Sequence, residues 1–138
     1  MADGKFAGLR RVGENFLRLA KQPENIGSME NSNGKANAVG QCGDSIEVFL
    51  KITNETIHDI KVAPHGCIYT WVCASAMSEM AKGRHIDDAL RIEPDEIASA
   101  LGGLPEDHMH CARLAVNTLG EAIADYYKTI SVQSVQSR

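Results

Sequence analysis

Four cysteines and five histidines carry most of the chemistry that this 138-residue sequence can offer. Three of the cysteines sit in polar surroundings: Cys42 in Gln41-Cys42-Gly43-Asp44, Cys67 in His65-Gly66-Cys67, and Cys111 in His108-Met109-His110-Cys111. As thiolates they bind metal or accept sulfur. Gly43 and Gly66 flank two of them, and glycine lets a backbone come close to a ligand, so that N–H groups can point at sulfur. Three thiolates leave a tetrahedral metal one ligand short, and Asp44 and His110 are the neighbours able to fill the gap. Electron-transfer clusters usually take four cysteines. A mixed, loop-borne donor set suits a cluster meant to leave. The spacing itself identifies no local metal motif: there is no C-x-x-C, and 24 and then 43 residues separate the three cysteines.

Each of these residues also has a plainer reading. A lone free cysteine is as well explained as a small core residue. Asp44 alone could be a turn residue, and His110 alone a surface group at a helix start. What argues for chemistry is that all three cysteines fall at element ends beside Gly, Asp or His. Cys73, in Trp71-Val72-Cys73-Ala74, has no polar helper and is read as core. His58 is read as a strand-surface residue and His85 as part of the connection after Gly83. His65 and His108 are read as exposed, with a supporting or spare-ligand role as the alternative. Met77 and Met80 fill gaps in a core short of aromatics.

The elements that must position these groups follow from periodicity. Leu9, Val12, Phe16, Leu19 and Ala20 predict an amphipathic helix over 6–20, ending near Pro23. Residues 23–44 carry Gly27, Gly34, Gly40 and Gly43 among asparagines, which is loop chemistry, with one short extended piece at 36–40. Ile46, Val48, Leu50 and Ile52 alternate with Glu47, Phe49 and Lys51, and Ile60 and Val62 alternate with Asp59 and Lys61. With Asn54-Glu55 between them, these runs predict a β-hairpin whose second strand stops at Pro64. A helix is expected over 68–82, stopped by Gly83, then a helical turn over 86–90. A further helix opens at Pro94 and is closed by Gly102 and Gly103. The last helix carries the stripe Ala112, Ala115, Val116, Leu119, Ala122, Ile123 and Tyr126. Cys67 and Cys111 are thus placed at helix N-termini, where free N–H groups and the helix dipole lower a thiol pKa.

Grouped strands followed by grouped helices imply an α+β class: a small antiparallel sheet of about three strands with helices on one face. A single domain is expected over 1–138, with a core over about 6–128 and a frayed tail over 129–138. The net charge is −4 and no run of Lys or Arg exceeds Arg10-Arg11, which excludes the basic footprint of a nucleic-acid binder. No apolar stretch approaches the roughly 20 residues of a membrane span. The first residues lack the apolar region of a signal peptide. A cytoplasmic address and reduced thiols are therefore expected.

The ordered set Pro23-Glu24-Asn25-Ile26-Gly27, Cys42-Gly43-Asp44, Gly66-Cys67 and His110-Cys111 resembles the IscU family and the N-terminal domain of NifU. The resemblance runs from about Glu14 to Tyr127, including Lys82-Gly83 through Ala89-Leu90 and Ala124-Asp125-Tyr126-Tyr127. It implies a non-enzymatic iron–sulfur cluster assembly scaffold. Such a protein takes sulfur from a cysteine desulfurase as a persulfide and iron from a donor, builds a transient [2Fe-2S] cluster, and passes it to recipient apo-proteins. By the same resemblance Cys42, Cys67 and Cys111 are the cluster ligands and persulfide acceptors. The matching metal-site positions are Cys42, Asp44, Cys67, His110 and Cys111; Asp44 would favour release, and zinc can occupy the same ligands. Two departures stand out. Relatives that hand clusters on through a dedicated Hsp70 carry Leu-Pro-Pro-Val-Lys before the His-Cys pair. Leu104-Pro105-Glu106-Asp107-His108 stands here, so the resemblance does not extend to that chaperone. After Cys67, where relatives carry Gly and small residues, this chain has the bulkier Ile68-Tyr69-Thr70-Trp71-Val72-Cys73. The rival readings are a structural zinc protein with a closed Cys/His/Asp site and, less well supported, a thiol enzyme pairing Cys111 with His108 or His110. His110 and Cys111 are adjacent, and residues one apart on a helix do not face each other.

Overall fold

The computed structural model describes residues 13–136. Helix α1 occupies 13–21, and residues 6–12 of the helix expected there lie outside the described residues. Three strands follow, β1 (Gly34–Val39), β2 (Ser45–Thr53) and β3 (Thr56–His65), in the antiparallel order β1-β2-β3. Helices α2 (Ile68–Ala81), α3 (Ile86–Ala89), α4 (Pro94–Ala100) and α5 (Met109–Gln136) complete the chain, with a 3₁₀ turn over Glu106–His108 before α5. This is the expected α+β architecture. No helix among the described residues is long and apolar enough to cross a membrane.

The hairpin turns where the sequence placed it. Asn54 and Glu55 both take positive φ, 51° and 61°, the twist-matched geometry of a two-residue hairpin loop. A bulge next to the turn sets Ile52 opposite Ile57 but Lys51 opposite Asp59. The extra residue, His58, stays exposed. That insertion lets both Ile57 and Ile60 point inward although they are three apart. Strand β3 also runs further than expected, through Pro64 to His65. It is the last strand in the sheet order, and the Val62 N–H bonds outward, to the Asn25 carbonyl. Pro64 is two residues on, so its missing N–H faces the same outer side and the β2–β3 ladder loses nothing. That outer side is itself covered. Val62 pairs with Asn25 and Gly27, and Ile57 with Gly83 and Arg84, which leaves little of β3 open as an exposed edge.

Strand β1 is longer than the short extended piece expected at 36–40, starting at Gly34 and ending at Val39. Its alternation was hidden because its inward residues are Gly34, Ala36 and Ala38, which are small. Small residues are needed there because α5 crosses directly over the strand. A Cβ on Gly34 would lie 2.7 Å from the Ala122 carbonyl oxygen and 3.0 Å from the Tyr126 Cβ. The Lys35 N–H donates to Asp125 of α5 at 3.0 Å.

The inner face of the sheet buries Ile46, Val48, Leu50, Ile52, Ile57, Ile60 and Val62 against α2 and α5. α2 is buried almost all round, through Val72, Cys73, Ala74, Ala76, Met77 and Ala81. It packs on the sheet, α4 and α5, and a two-pronged Arg18–Glu79 contact of 2.8 and 3.1 Å joins it to α1. Enclosure of that kind explains why it shows no amphipathic stripe. α5 continues to Gln136, past the point at 129 where the sequence suggested fraying.

Gly34→Ala is expected to lower stability by about 1–3 kcal/mol, the usual cost of overpacking. The atom that the new methyl meets is helix backbone, which cannot rotate away. A lower urea midpoint with an unchanged m-value would check it.

Candidate metal centre

Three junctions meet at one end of the sheet. The β1–β2 connection carries Cys42 and Asp44. The β3–α2 junction carries Cys67, the 3₁₀ turn before α5 carries His108, and the first turn of α5 carries His110 and Cys111. Register brings the first two together: Ser45 pairs with His65, so the residues just outside the ladder, Asp44 and Gly66, lie side by side. The β1–β2 loop closes on itself through Gly40 N–H to the Asp44 carbonyl at 2.7 Å, with Gly43 at φ 80° making the turn. Gly66 has a different task. A Cβ there would fall 2.7 Å from Thr70 Oγ1 and 2.8 Å from the Asp44 Cβ, so its lack of a side chain is what lets these two groups meet.

Thr70 stands at the centre. It is fully buried, one turn into α2, and its hydroxyl donates to Asp44 Oδ2 at 3.2 Å. The same oxygen lies 3.8 Å from Cys67 Sγ and 3.8 Å from Cys111 Sγ. Asp44 is buried as well, and its Oδ1 has no hydrogen-bond partner. Contrary to the expectation for residues one apart on a helix, the side chains of His110 and Cys111 meet, with Cys111 Sγ 3.6 Å from His110 Nε2. Two three-donor groups result, Cys67–His108–Cys111 and Asp44–His110–Cys111, each with its donor atoms within 4.8 Å of one another. Ligands around one tetrahedral zinc stand roughly 3.8 Å apart, so either group needs only small movements to close on an ion. The orphaned carboxylate oxygen and the mixed N, O and S donors fit a borderline ion such as zinc or ferrous iron. Cys42 belongs to neither group. It is exposed and lines, with Asp44, Cys67, His108 and His110, a half-open cleft of about 500 Å³.

A family model described as NifU-like N terminal domain matches residues 12–133. The chain belongs to the IscU/NifU family. It is 41% identical over 110 residues to the iron-sulfur cluster assembly scaffold protein IscU 1 of Archaeoglobus fulgidus, covering 78% of this chain and 71% of that protein. To the IscU scaffold protein of Aquifex aeolicus it is 37% identical over 123 residues, covering 84% and 73%. Both relatives are named as scaffolds rather than for a catalysed reaction, in agreement with a chain that is not an enzyme. The fold is shared with a crystallised NifU-like N-terminal protein from Brucella abortus, at a TM-score of 0.66 and 18% identity over 88% of this chain and 98% of that one.

Within this IscU/NifU fold the two thiols at helix starts behave in opposite ways. Partial burial of Cys67 works against its thiolate, but the backbone N–H groups of Thr70 and Tyr69 and the Thr70 hydroxyl outweigh it, so its pKa lies below the ordinary thiol value. Cys111 departs from expectation. Burial, together with the nearby Cys67 and Asp44, pushes it up to about 11 against the help of the Thr70 hydroxyl. Burial thus outweighs the placement of Cys111 in the first turn of α5. Cys73 is buried in the core, as read from sequence, and burial raises its pKa strongly.

Thr70 and His108 are the groups that sequence reasoning undervalued. Thr70 was legible only as the residue one helical turn beyond Cys67. His108 was visible as the first half of His108-Met109-His110, but it is not exposed as read. Its ring stacks on Tyr69 with centroids 3.8 Å apart and planes at 10°, and Phe16 packs on the other part of Tyr69 at 5.2 Å. His65 is exposed on the cleft rim, and His85 caps α3 by accepting from the Asp87 N–H.

Alkylation with iodoacetamide, mapped by mass spectrometry across pH, is expected to label Cys67 with a midpoint below the usual thiol value of 9.0. Cys111 should react only as pH approaches about 11. Thr70→Val should move the Cys67 midpoint upward, because the thiolate loses a hydroxyl donor.

Proposed function

We propose that this chain is a scaffold that receives sulfur from a cysteine desulfurase and iron from a donor. With electrons from an external reductant, which bring the persulfide sulfur to sulfide, it assembles a transient [2Fe-2S] cluster on Cys42, Cys67 and Cys111 and passes it to recipient apo-proteins. The observation that carries the reading is that Cys42, Asp44, Cys67 and His110 line one half-open cleft, with Cys111 buried behind it and its sulfur within 4.8 Å of that of Cys67, in a member of a scaffold family. The residues divide the work by environment. Cys67, accessible and with a favoured thiolate, is suited to take up sulfur first. Cys42 lines the cleft from the exposed side of the β1–β2 loop, which suits a ligand that must approach a partner. Cys111 gives up its proton only when a cation takes its place, since metal binding drives thiol deprotonation. Asp44 offers a hard oxygen donor to a soft cargo, a weak grip that favours release.

A second reading is a structural zinc site, and a specific observation favours it. Both three-donor groups are mixed Cys/His or Asp/His/Cys sets around Cys111, and Cys42 stands outside each. One tetrahedral ion fits these atoms as they lie more closely than a two-iron cluster does. A permanent zinc would lend folding energy, and its removal would unfold the domain. The scaffold reading predicts instead that the metal-free chain stays folded, because the sheet–α2–α5 core is built away from the cleft.

Anaerobic reconstitution with ferrous iron, cysteine, a cysteine desulfurase and a dithiol reductant, followed by apo-ferredoxin, separates the two. Expected are the optical bands of a cluster, their passage to the ferredoxin, and no cluster when Cys42, Cys67 or Cys111 is replaced by Ala. Retention of zinc that is needed for folding, with no cluster formed, would leave the zinc site as the function. Asp44→Ala is expected to slow transfer to the ferredoxin while still allowing assembly, read as a longer-lived cluster on the scaffold.

A further inference from the structure

His108 is not among the residues that the family pattern supplies as ligands. The motif of the chaperone-served relatives ends in lysine at its place. Yet one of its ring nitrogens lies with Cys67 Sγ and Cys111 Sγ in a single group, all within 4.8 Å of one another. Its Nδ1 is buried and has no hydrogen-bond partner, an uncompensated polar atom of the kind that calls for an explanation. The ring is also held. Near-parallel stacking on Tyr69 at 3.8 Å fixes the imidazole plane, and Tyr69 is itself braced by Phe16 of α1. A histidine with no task at the protein surface needs neither restraint.

We propose that His108 is a metal ligand, forming with Cys67 and Cys111 a three-donor site for a zinc-class divalent ion, alternative to the Asp44–His110–Cys111 group. The two sites share Cys111 Sγ, so a single ion using that thiolate as a terminal ligand occupies one or the other. Two thiolates and one neutral imidazole are a softer set than one thiolate, one imidazole and one carboxylate. The His108 site is therefore the tighter one for zinc. The Tyr69 stack supports it in the way that groups behind a ligand usually do, by fixing ring orientation before the ion arrives. The inference rests on the cleft's being a metal site but not on cluster assembly.

The test is titration of the full chain with zinc, in competition with a chromophoric chelator, while the imidazole ¹⁵N resonances are followed. One equivalent of zinc is expected to move a ring nitrogen of His108 to a metal-bound shift. His108→Ala should weaken zinc binding by at least about tenfold, no less than the loss of a group that merely orients a ligand. Tyr69→Leu, which keeps bulk but removes the stacking partner, should weaken it by a smaller factor. A His108 resonance that stays in place while zinc binds overturns the proposal, and this readout needs no variant to fold. If zinc is lost in Cys67→Ala and Cys111→Ala while His108 stays silent, only the role of His108 falls. If those two variants bind as tightly as the unaltered chain, the reading of the cleft as a metal site falls with it.

Discussion

The side-by-side packing of α2 and α5 on one face of a three-stranded sheet is the constraint on which the rest depends. Both helices begin at the same end of the sheet, so their first turns, with unpaired N–H groups, form one wall of the cleft. The opposite wall is the β1–β2 loop, and its height is set by the ladder that pairs Ser45 with His65. The candidate ligands among the described residues sit where these walls approach. The approach is tight enough that Gly40 and Gly66 have no room for a methyl group, the nearest obstacles being the Asp44 side chain and, at Gly66, the Thr70 hydroxyl. Close-packed interiors transmit such constraints, because neither backbone can yield without disturbing the core behind it.

Electrostatics in the cleft follow from that geometry. A buried carboxylate with one oxygen unpartnered, a buried thiol held in its neutral form, and a second thiol poised toward its thiolate stand within a few ångströms of one another. Burial penalises each added negative charge, and the anions penalise one another. Helix N-termini relieve Cys67 at the cleft surface but not Cys111 behind it. A divalent cation would compensate all of these groups together. That is why the donor set reads as a site for a metal-containing cargo or ion rather than as a nucleophile–base pair. Thr70 mediates among them: a hydroxyl both donates and accepts, so it can serve the carboxylate and either sulfur in turn.

The bulky segment after Cys67 takes on meaning in this setting. Where small residues would leave the mouth of α2 open, Tyr69 instead provides a flat face for His108 and a contact for Phe16. The first helix is thereby linked to the cleft through a chain of three rings, Phe16 tilted against Tyr69 and Tyr69 stacked on His108. Cys73, one turn deeper than Thr70, is enclosed by the core and belongs to the packing of α2.

Local regularity in the sequence determined the hairpin, the positions of α2 to α5, and the assignment of the three cysteines to element ends. These depend on neighbours in the chain: alternation at Ile46–Ile52, the Asn54-Glu55 turn, Pro94 and the paired glycines. Strand β1 stayed hidden because small inward residues carry no periodic signal, and they are small only because α5 lies across them. Pro64 looked like a strand end because the side of the ladder it faces is not written in the sequence. The direction of the Cys111 shift, the centrality of Thr70 and the stacking of His108 likewise belonged to the tertiary structure alone. Each is set by groups brought from distant parts of the chain, and burial and mutual distance, which decide charge and contact, exist only once those parts have packed.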